Sequence, residues 1–399
     1  MMGRILAVLS LVVLVAVAII LALATRPQPT KRTELPTFTP TSLATLEGWR
    51  EDNPLPALQA FRLTCARWQR LPDDRPLDGG GVAGHLADWR AACAGAEAAE
   101  ETAAAARAFF EAHFQAYAVS AAGSDEGLFT GYYEPLLHGS RQADDRYRYP
   151  LFARPDDLVT VDLSKFRDEW RGMRTAGRVV NGELVPYHDR TGIETGALNR
   201  RQLEIVYVDD PVDAFFLHIQ GSGRIRMDDG EELRLGYAAQ NGHSYFAIGR
   251  ELIRLGAVQP KDMSMQAIRD WLARHPNDAD AVMRLNRSYV FFRELKGPGP
   301  IGAGGVPLTP ERSLAVDRRF IPLGAPIWLD AAAPDAAGGE QPLRRLLIAQ
   351  DTGGAIRGII RGDVFWGHGT EAAEIAGRMK HSGRLYLLLP LGLNPARTS

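Results

Sequence analysis

Cysteine is scarce in this sequence: Cys65 and Cys93 are the only two in 399 residues. Two thiols cannot hold a zinc ion by themselves. In an exported chain two leftover cysteines are expected to pair, the alternative being two separate buried thiols. Net charge is nearly absent as well, with 46 basic against 48 acidic residues and a balance of −2. Without a basic field, nucleic acid is not an expected partner, and a neutral or amphoteric substrate fits better. The sequence contains no HExxH, GxSxG or Walker pattern, and its nine histidines have no metal-ligand spacing. No metal and no cofactor are therefore expected. Internal repeats and sustained heptads are missing too.

One long apolar run exists. After Arg4, residues 5–24 (ILAVLSLVVLVAVAIILALA) carry no charge. About 20 helical residues span the roughly 30 Å of a bilayer core. The run reads as an uncleaved membrane anchor or, through Ala22-Leu23-Ala24, as a cleaved signal peptide. Arg26, Lys31 and Arg32 on its far side weaken any charge asymmetry, and which membrane is involved stays open. No cysteine follows the run, so no lipid can be attached there. Residues 25–40, rich in Pro, Thr and charge, read as a tether.

Residues 41–119 carry apolar positions at helical spacing, as in LPALQAFRLTCARWQRL and from Ala91 to Tyr117. After Ser120 the texture changes to short segments rich in aromatic and β-branched residues: LFTGYYEPLL, LVTVDL, LEIVYVDD and AFFLHIQGSGRIRM. Residues 243–275 return to helix, and strands resume with SYVFFREL, PIWLD, RRLLIAQD and RLYLLLPLG. Segment 331–342 (AAAPDAAGGEQP) reads as a surface loop. The fold class expected is mainly β with helices (α+β), with a β-barrel at the C-terminal end and a helical N-terminal region.

Chemistry concentrates in AQDTGGAIRGIIRGDVFWGHG, residues 349–369. Asp363 is followed by Val364, Phe365 and Trp366. A carboxyl group against aromatic surface loses hydration, so it holds its proton to higher pH, as a general acid requires. An aromatic ring beside it, Phe365 or Trp366, could stack on a sugar face. Asp next to Gly is more commonly a turn residue, however. Asp351-Thr352-Gly353 also has the form of an aspartic-protease motif, but no second copy exists in the chain. FTGYYEP (Phe129–Pro135) and HIQGSG (His218–Gly223) place hydroxyl, amide and carboxylate groups beside apolar strands.

These segments together resemble the membrane-bound lytic murein transglycosylase A family. The matches are FTGYYEP, HIQGSG, GYAAQNGHSY, NRSYVFFREL, GVPLTPERSLAVDRRFIPLGAPIWL and QDTGGAIRG with GDVFWGHG, in order over residues 60–399. The resemblance implies a double-psi β-barrel domain built from residues 41–137 and 288–399, with a smaller β-domain inserted at 138–287 and a glycan groove between them. It implies a peptidoglycan lytic transglycosylase that cleaves between N-acetylmuramic acid and N-acetylglucosamine and leaves a 1,6-anhydro end. The family's catalytic aspartate falls on Asp363, with Asp351 as a supporting one, and sugar contacts fall on Thr130, Tyr132, Gln220 and Ser222. The implied place is the periplasmic face of the cell envelope, with glycan strands and possible other cell-wall enzymes as partners. A hydrolase using Asp351, Glu134 or Asp317 as a second carboxylate, or a non-catalytic glycan-binding module, are the rival readings.

Overall fold

Six strands close on themselves. In ring order they are Glu126–Glu134, Lys380–Pro390, Pro326–Pro334, Glu340–Asp351, Ser313–Val316 and Arg361–His368, and the last pairs back onto the first. Two pairs are parallel: Ser313–Val316 with Glu340–Asp351, and Arg361–His368 with Glu126–Glu134. Closure leaves no free edge in this part of the sheet. The computed structural model describes residues 35–395 apart from 78, 171, 172, 298 and 336–338. The apolar run 5–24 and the first part of the expected tether 25–40, up to residue 34, lie outside the described residues, whereas its last residues are not a free linker but belong to the strand Thr37–Thr41. Among the described residues, no helix is long and apolar enough to cross a membrane.

The long strand Lys380–Pro390 pairs with two partners. Its first half runs beside Glu126–Glu134, and its second half pairs with Phe114–Ser120, which in turn pairs with Thr37–Thr41. The expected helical stretch 41–119 is therefore narrower than its periodicity suggested. It holds the helices Leu55–Trp68, Arg90–Ala98 and Ala103–His113, then turns to strand at Phe114. Phe114, Ala116, Tyr117 and Val119 are all buried, and pairing with a strand on each side overrides the helical pattern. Phe61, Trp68, Trp89, Phe109, Phe110 and Phe114 form one aromatic cluster between the helices and the barrel. Cys65 and Cys93 are bonded, with Cα atoms 5.5 Å apart, and staple the first two helices.

A second sheet follows the order Val290–Glu294, Glu232–Gln240, Gly223–Met227, Leu136–Ser140, Glu204–Val208, Tyr149–Phe152. A bridge from Ala153 to Phe292 nearly closes it. Leu137, Leu151, Val206, Ile225, Leu235 and Phe292 fill its core. It begins and ends slightly outside the expected 138–287. A three-stranded sheet, Val159–Asp162, Arg174–Val180 and Glu183–Pro186, lies within the same insertion.

Further local expectations fail. The helical reading of 243–275 does not hold at its start: residues 243–248 are a loop, and the first helix is Gly249–Arg254. The segment AFFLHIQ is helix Pro211–Gln220, not strand. Asp210 caps it by accepting from the N–H groups of Val212 and Asp213 at 2.7 and 2.9 Å, Pro211 sits in its first turn, and Gly221 ends it at φ 81°. A short apolar run has no period of its own, and these brackets decide it. The supposed loop 331–342 is mostly a β-hairpin: Ala331 pairs with Leu343 and Pro334 with Glu340.

Candidate active site

Register brings the two aspartates together. Ala315 pairs with Asp363 on one side and with Asp351 on the other, while Asp363 pairs with Thr130 on the next strand. Residues directly opposite each other in a sheet share a face. Thr130, Asp363, Ala315 and Asp351 therefore form one row across four strands. The alternate residues Phe129, Val364, Trp366, Leu314 and Val316 enter the large core. Tyr132, Phe365, Ala315, Leu308 and Ile356 make a small apolar cluster beside the row.

A bulge aims Asp351. The parallel pairing slips between Leu314 and Ala315, so that Gln350 is skipped. The Gln350 amide is buried: its Oε1 accepts from Ser313 Oγ at 2.6 Å, and its Nε2 donates to Ala60 O at 2.9 Å and Thr64 Oγ1 at 3.2 Å. The chain after the second sheet lies along this strand. Gly304 N donates to Gln350 O at 2.9 Å, and a Cβ at Gly302 would stand 2.4 Å from that oxygen, so only glycine fits there. Ala303 N thereby reaches Asp351 Oδ1 at 2.9 Å.

Both carboxyls are half-buried, and their surroundings differ. Tyr132 donates its hydroxyl to Asp351 Oδ2 at 2.9 Å, so both Asp351 oxygens accept protein hydrogen bonds. Asp363 Oδ1 accepts from Thr130 Oγ1 at 2.6 Å. Thr130 Oγ1 in turn accepts from Arg361 Nη2 at 2.8 Å. Burial pushes the Asp363 carboxyl above the usual carboxylate range. The Arg361 charge and the Thr130 hydroxyl pull it partly back, and the Asp351 charge adds to the rise. Burial also raises Asp351, against the N–H groups of Ala303 and Thr352 and the Tyr132 hydroxyl.

The loop after strand Glu232–Gln240 of the second sheet contributes Tyr245. Burial and then the charge of Asp363 raise this phenol, so it stays neutral and able to donate. Its loop is tied down by amides. Asn241 Nδ2 donates to His188 O at 3.0 Å and to Arg287 O at 2.9 Å, and Asn286 Oδ1 accepts from Phe246 N at 3.1 Å. Gly242, at φ 85°, lies where a Cβ would come within 2.3 Å of Ala176 O. The Tyr245 Cβ stands 3.8 Å from the position of a Cβ on Gly354, so this loop meets the Gly-rich loop after Asp351, within reach of the Asp363 charge.

The comparisons with known proteins agree with this frame. A family model described as the MltA specific insert domain matches residues 128–293, and one described as the 3D domain matches 312–389. The crystal structure of the membrane-bound lytic murein transglycosylase from Agrobacterium tumefaciens is 37% identical, covers 89% of this chain and 98% of that one, and superposes with a TM-score of 0.79. This chain belongs to the membrane-bound lytic murein transglycosylase A family. MltA from Neisseria gonorrhoeae is 34% identical, with coverage of 92% and 95% and a TM-score of 0.71. Escherichia coli MltA with bound chitohexaose is 26% identical, with coverage of 92% and 98% and a TM-score of 0.65. The curated membrane-bound lytic murein transglycosylase A of Vibrio cholerae is 33% identical over 268 residues, 65% of each chain. The match thus spans about 65% of the length of that curated relative.

Within this family frame, the expected site residues separate into groups. Asp363, Asp351, Thr130 and Tyr132 come together. Thr130 supports Asp363, however, and Tyr132 holds Asp351, so their polar atoms are already engaged. Trp366 is 8% exposed and sits in the core on the opposite face from Asp363, because residues three apart on a strand point apart. Phe365 shares the face of Asp363 but is 1% exposed, packed on Tyr132 with ring centres 5.2 Å apart. Neither ring is open for a sugar to stack on. Gln220 is the last residue of its helix, and its Oε1 accepts from Tyr133 N at 3.0 Å, which ties that helix to the barrel strand Glu126–Glu134. Ser222 is buried in the turn after that helix.

Two residues of the site were not singled out from the sequence. Arg361 lay inside the Gly-rich segment 349–369, two residues before Asp363, where nothing local says which group it would meet. Tyr245 lay in GYAAQNGHSY, where only the amide-rich loop hinted at a built structure. A hollow of about 430 Å³ lined by Glu126, Asp330, Arg344 and Arg384 lies elsewhere on the barrel, and its charged groups pair among themselves.

Proposed function

We propose that this protein is a peptidoglycan lytic transglycosylase in which Asp363 acts first as acid and then as base. The observation that carries this reading is a single carboxyl with one oxygen held by Thr130 and a proton affinity raised by burial. The other carboxyls weighed from sequence are occupied. Asp351 accepts from Tyr132 and Ala303, Asp317 is paired with Arg319, and Glu134 is 1% exposed between Arg224 and Arg234. A hydrolase needs a second carboxylate to attack or to activate water.

In the proposed cycle, protonated Asp363 gives its proton to the oxygen between N-acetylmuramic acid and N-acetylglucosamine. The bond from C1 of the muramic sugar to that oxygen breaks, and N-acetylglucosamine leaves as an alcohol. The C6 hydroxyl of the muramic sugar bonds to C1 of the same ring, and ionised Asp363 takes its proton. Asp363 ends protonated and ready for another turn, and no water is consumed. The attack is intramolecular and gains from proximity. Tyr245, neutral and near Asp363, donates to the substrate. The E. coli relative's bound chitohexaose supports a β-1,4-linked amino-sugar chain as the ligand type.

The apolar run 5–24 anchors the enzyme, or exports it, to the periplasmic face of the cell envelope. The test is digestion of purified sacculi in heavy-oxygen water, read by mass spectrometry. Anhydro products one water lighter than hydrolytic ones, with no heavy oxygen incorporated, are expected. Heavy oxygen at the new reducing end would establish a hydrolase instead. Intact sacculi with tight muropeptide binding would establish a binding module.

A further inference from the structure

We infer that Arg361 is a positioning residue that directs the acid proton of Asp363 to Oδ2 by fixing the direction of the Thr130 hydroxyl. The inference rests on the reading of Asp363 as the acid. A threonine hydroxyl has one proton and can give or accept. A guanidinium can only give. Arg361 Nη2 donates to Thr130 Oγ1 at 2.8 Å, so the Thr130 proton must point elsewhere, and Asp363 Oδ1 receives it at 2.6 Å. An oxygen already accepting this short bond is a poor place for the carboxyl proton. The proton of the acid form therefore sits on Oδ2, which is left to meet the substrate. Without Arg361 the Thr130 hydroxyl could turn and accept a proton from Oδ1, and the acid would face its own support instead of the glycosidic oxygen.

The guanidinium is itself held in place. Its Nη1 donates to Leu128 O at 3.2 Å and to Gly362 O, the backbone that leads into Thr130 and Asp363 on their two strands. Its charge acts on Asp363 across the threonine and draws the carboxyl downward, while burial draws it upward. Arg361 is half-buried, so this charge is only partly screened.

The experiment compares Arg361→Met, Arg361→Lys, Thr130→Val and the double variant Arg361→Met/Thr130→Val with the parent enzyme, as pH profiles of kcat and kcat/KM on a soluble glycan. Arg361→Met should lower the kcat plateau roughly tenfold to a hundredfold, part of the 10²–10⁴ that general acid catalysis contributes. Its alkaline limb should move to higher pH, because a positive charge near the acid is gone. Arg361→Lys, still charged, should keep the parent limb and recover part of the plateau. In the Thr130→Val background, Arg361→Met should cost little further, because the residue it orients is missing. A merely structural role would hydrate the carboxyl and move the limb to lower pH, which overturns the inference. A parent-like plateau in a folded Arg361→Met enzyme, or fully additive losses in the double variant, overturns it too. If Arg361→Met fails to fold, Thr130→Val against Thr130→Ser decides: equal activity of those two would also overturn it. An active Asp363→Asn enzyme would defeat the underlying reading of Asp363, and is separable from all of these outcomes.

Discussion

Replacing Asp363 by Asn should abolish turnover and, at neutral pH, make the protein more stable. The change is nearly isosteric, and the amide oxygen can still accept from Thr130 Oγ1, which now stands 2.6 Å from Asp363 Oδ1. That hydrogen bond, worth about 1 kcal/mol, is therefore kept. What is lost is a group that can release and reclaim a proton. A general acid or base contributes about 10²–10⁴-fold, and Asp363 serves in both steps, so a loss of at least about 10³-fold is expected. At 1.36 kcal/mol per decade, that is about 4 kcal/mol of barrier.

The stability gain follows from burial. Asp363 holds its proton to higher pH in the folded chain than in the unfolded one. Its contribution to stability is thus fully present below the unfolded value and is lost as pH rises through the folded value. Asn never ionises and escapes that loss. Thermal unfolding of the two proteins should therefore coincide in acid and separate towards neutrality, with Asp363→Asn melting higher. Anhydro-muropeptide release from sacculi, followed by mass spectrometry, reads the activity. Turnover within tenfold of the parent, or a lower melting temperature for the folded variant at neutral pH, would refute the reasoning.

Asp351→Asn should be far milder, within about tenfold of parent activity, because an amide can accept from Ala303 and donate to the Tyr132 hydroxyl, which can turn to accept; a loss equal to that of Asp363→Asn would point to a second working carboxylate. Gln350→Leu should destabilise by about 3 kcal/mol, since it strands Ser313, Ala60 and Thr64 without their partner at about 1 kcal/mol for each lost bond. The shift would appear as a lower urea midpoint with unchanged slope, and a change under 1 kcal/mol would show that the bulge does not depend on this amide. Replacing Cys65 and Cys93 by Ser frees a loop of 28 residues, worth about 3.5 kcal/mol on the chain-entropy model. Equal midpoints for the oxidised parent and the double variant would contradict that value.

Much of the site was legible along the chain. Asp363 stood out because Phe365 and Trp366 follow it, and burial does raise its proton affinity. Those same rings were misplaced as sugar platforms. Strand alternation puts Trp366 opposite Asp363, and the fit of Phe365 against Tyr132 closes the other ring. The helix Pro211–Gln220 was misread because its apolar run is too short to show a period, although Asp210-Pro211 and Gly221 were the signals that could have settled it.

The sequence by itself determined what local chemistry can determine: the helix about Leu55–Trp68, the strands about Glu340–Asp351 and Lys380–Pro390, the Gly-rich turns, and a carboxyl flanked by apolar residues. Only the tertiary structure decided which groups meet. Thr130 and Asp363 are 233 residues apart in the chain, and Tyr132 and Asp351 are 219 apart. Their meeting depends on barrel register and on the bulge at Gln350. A shift of one residue would turn every one of these side chains to the other face.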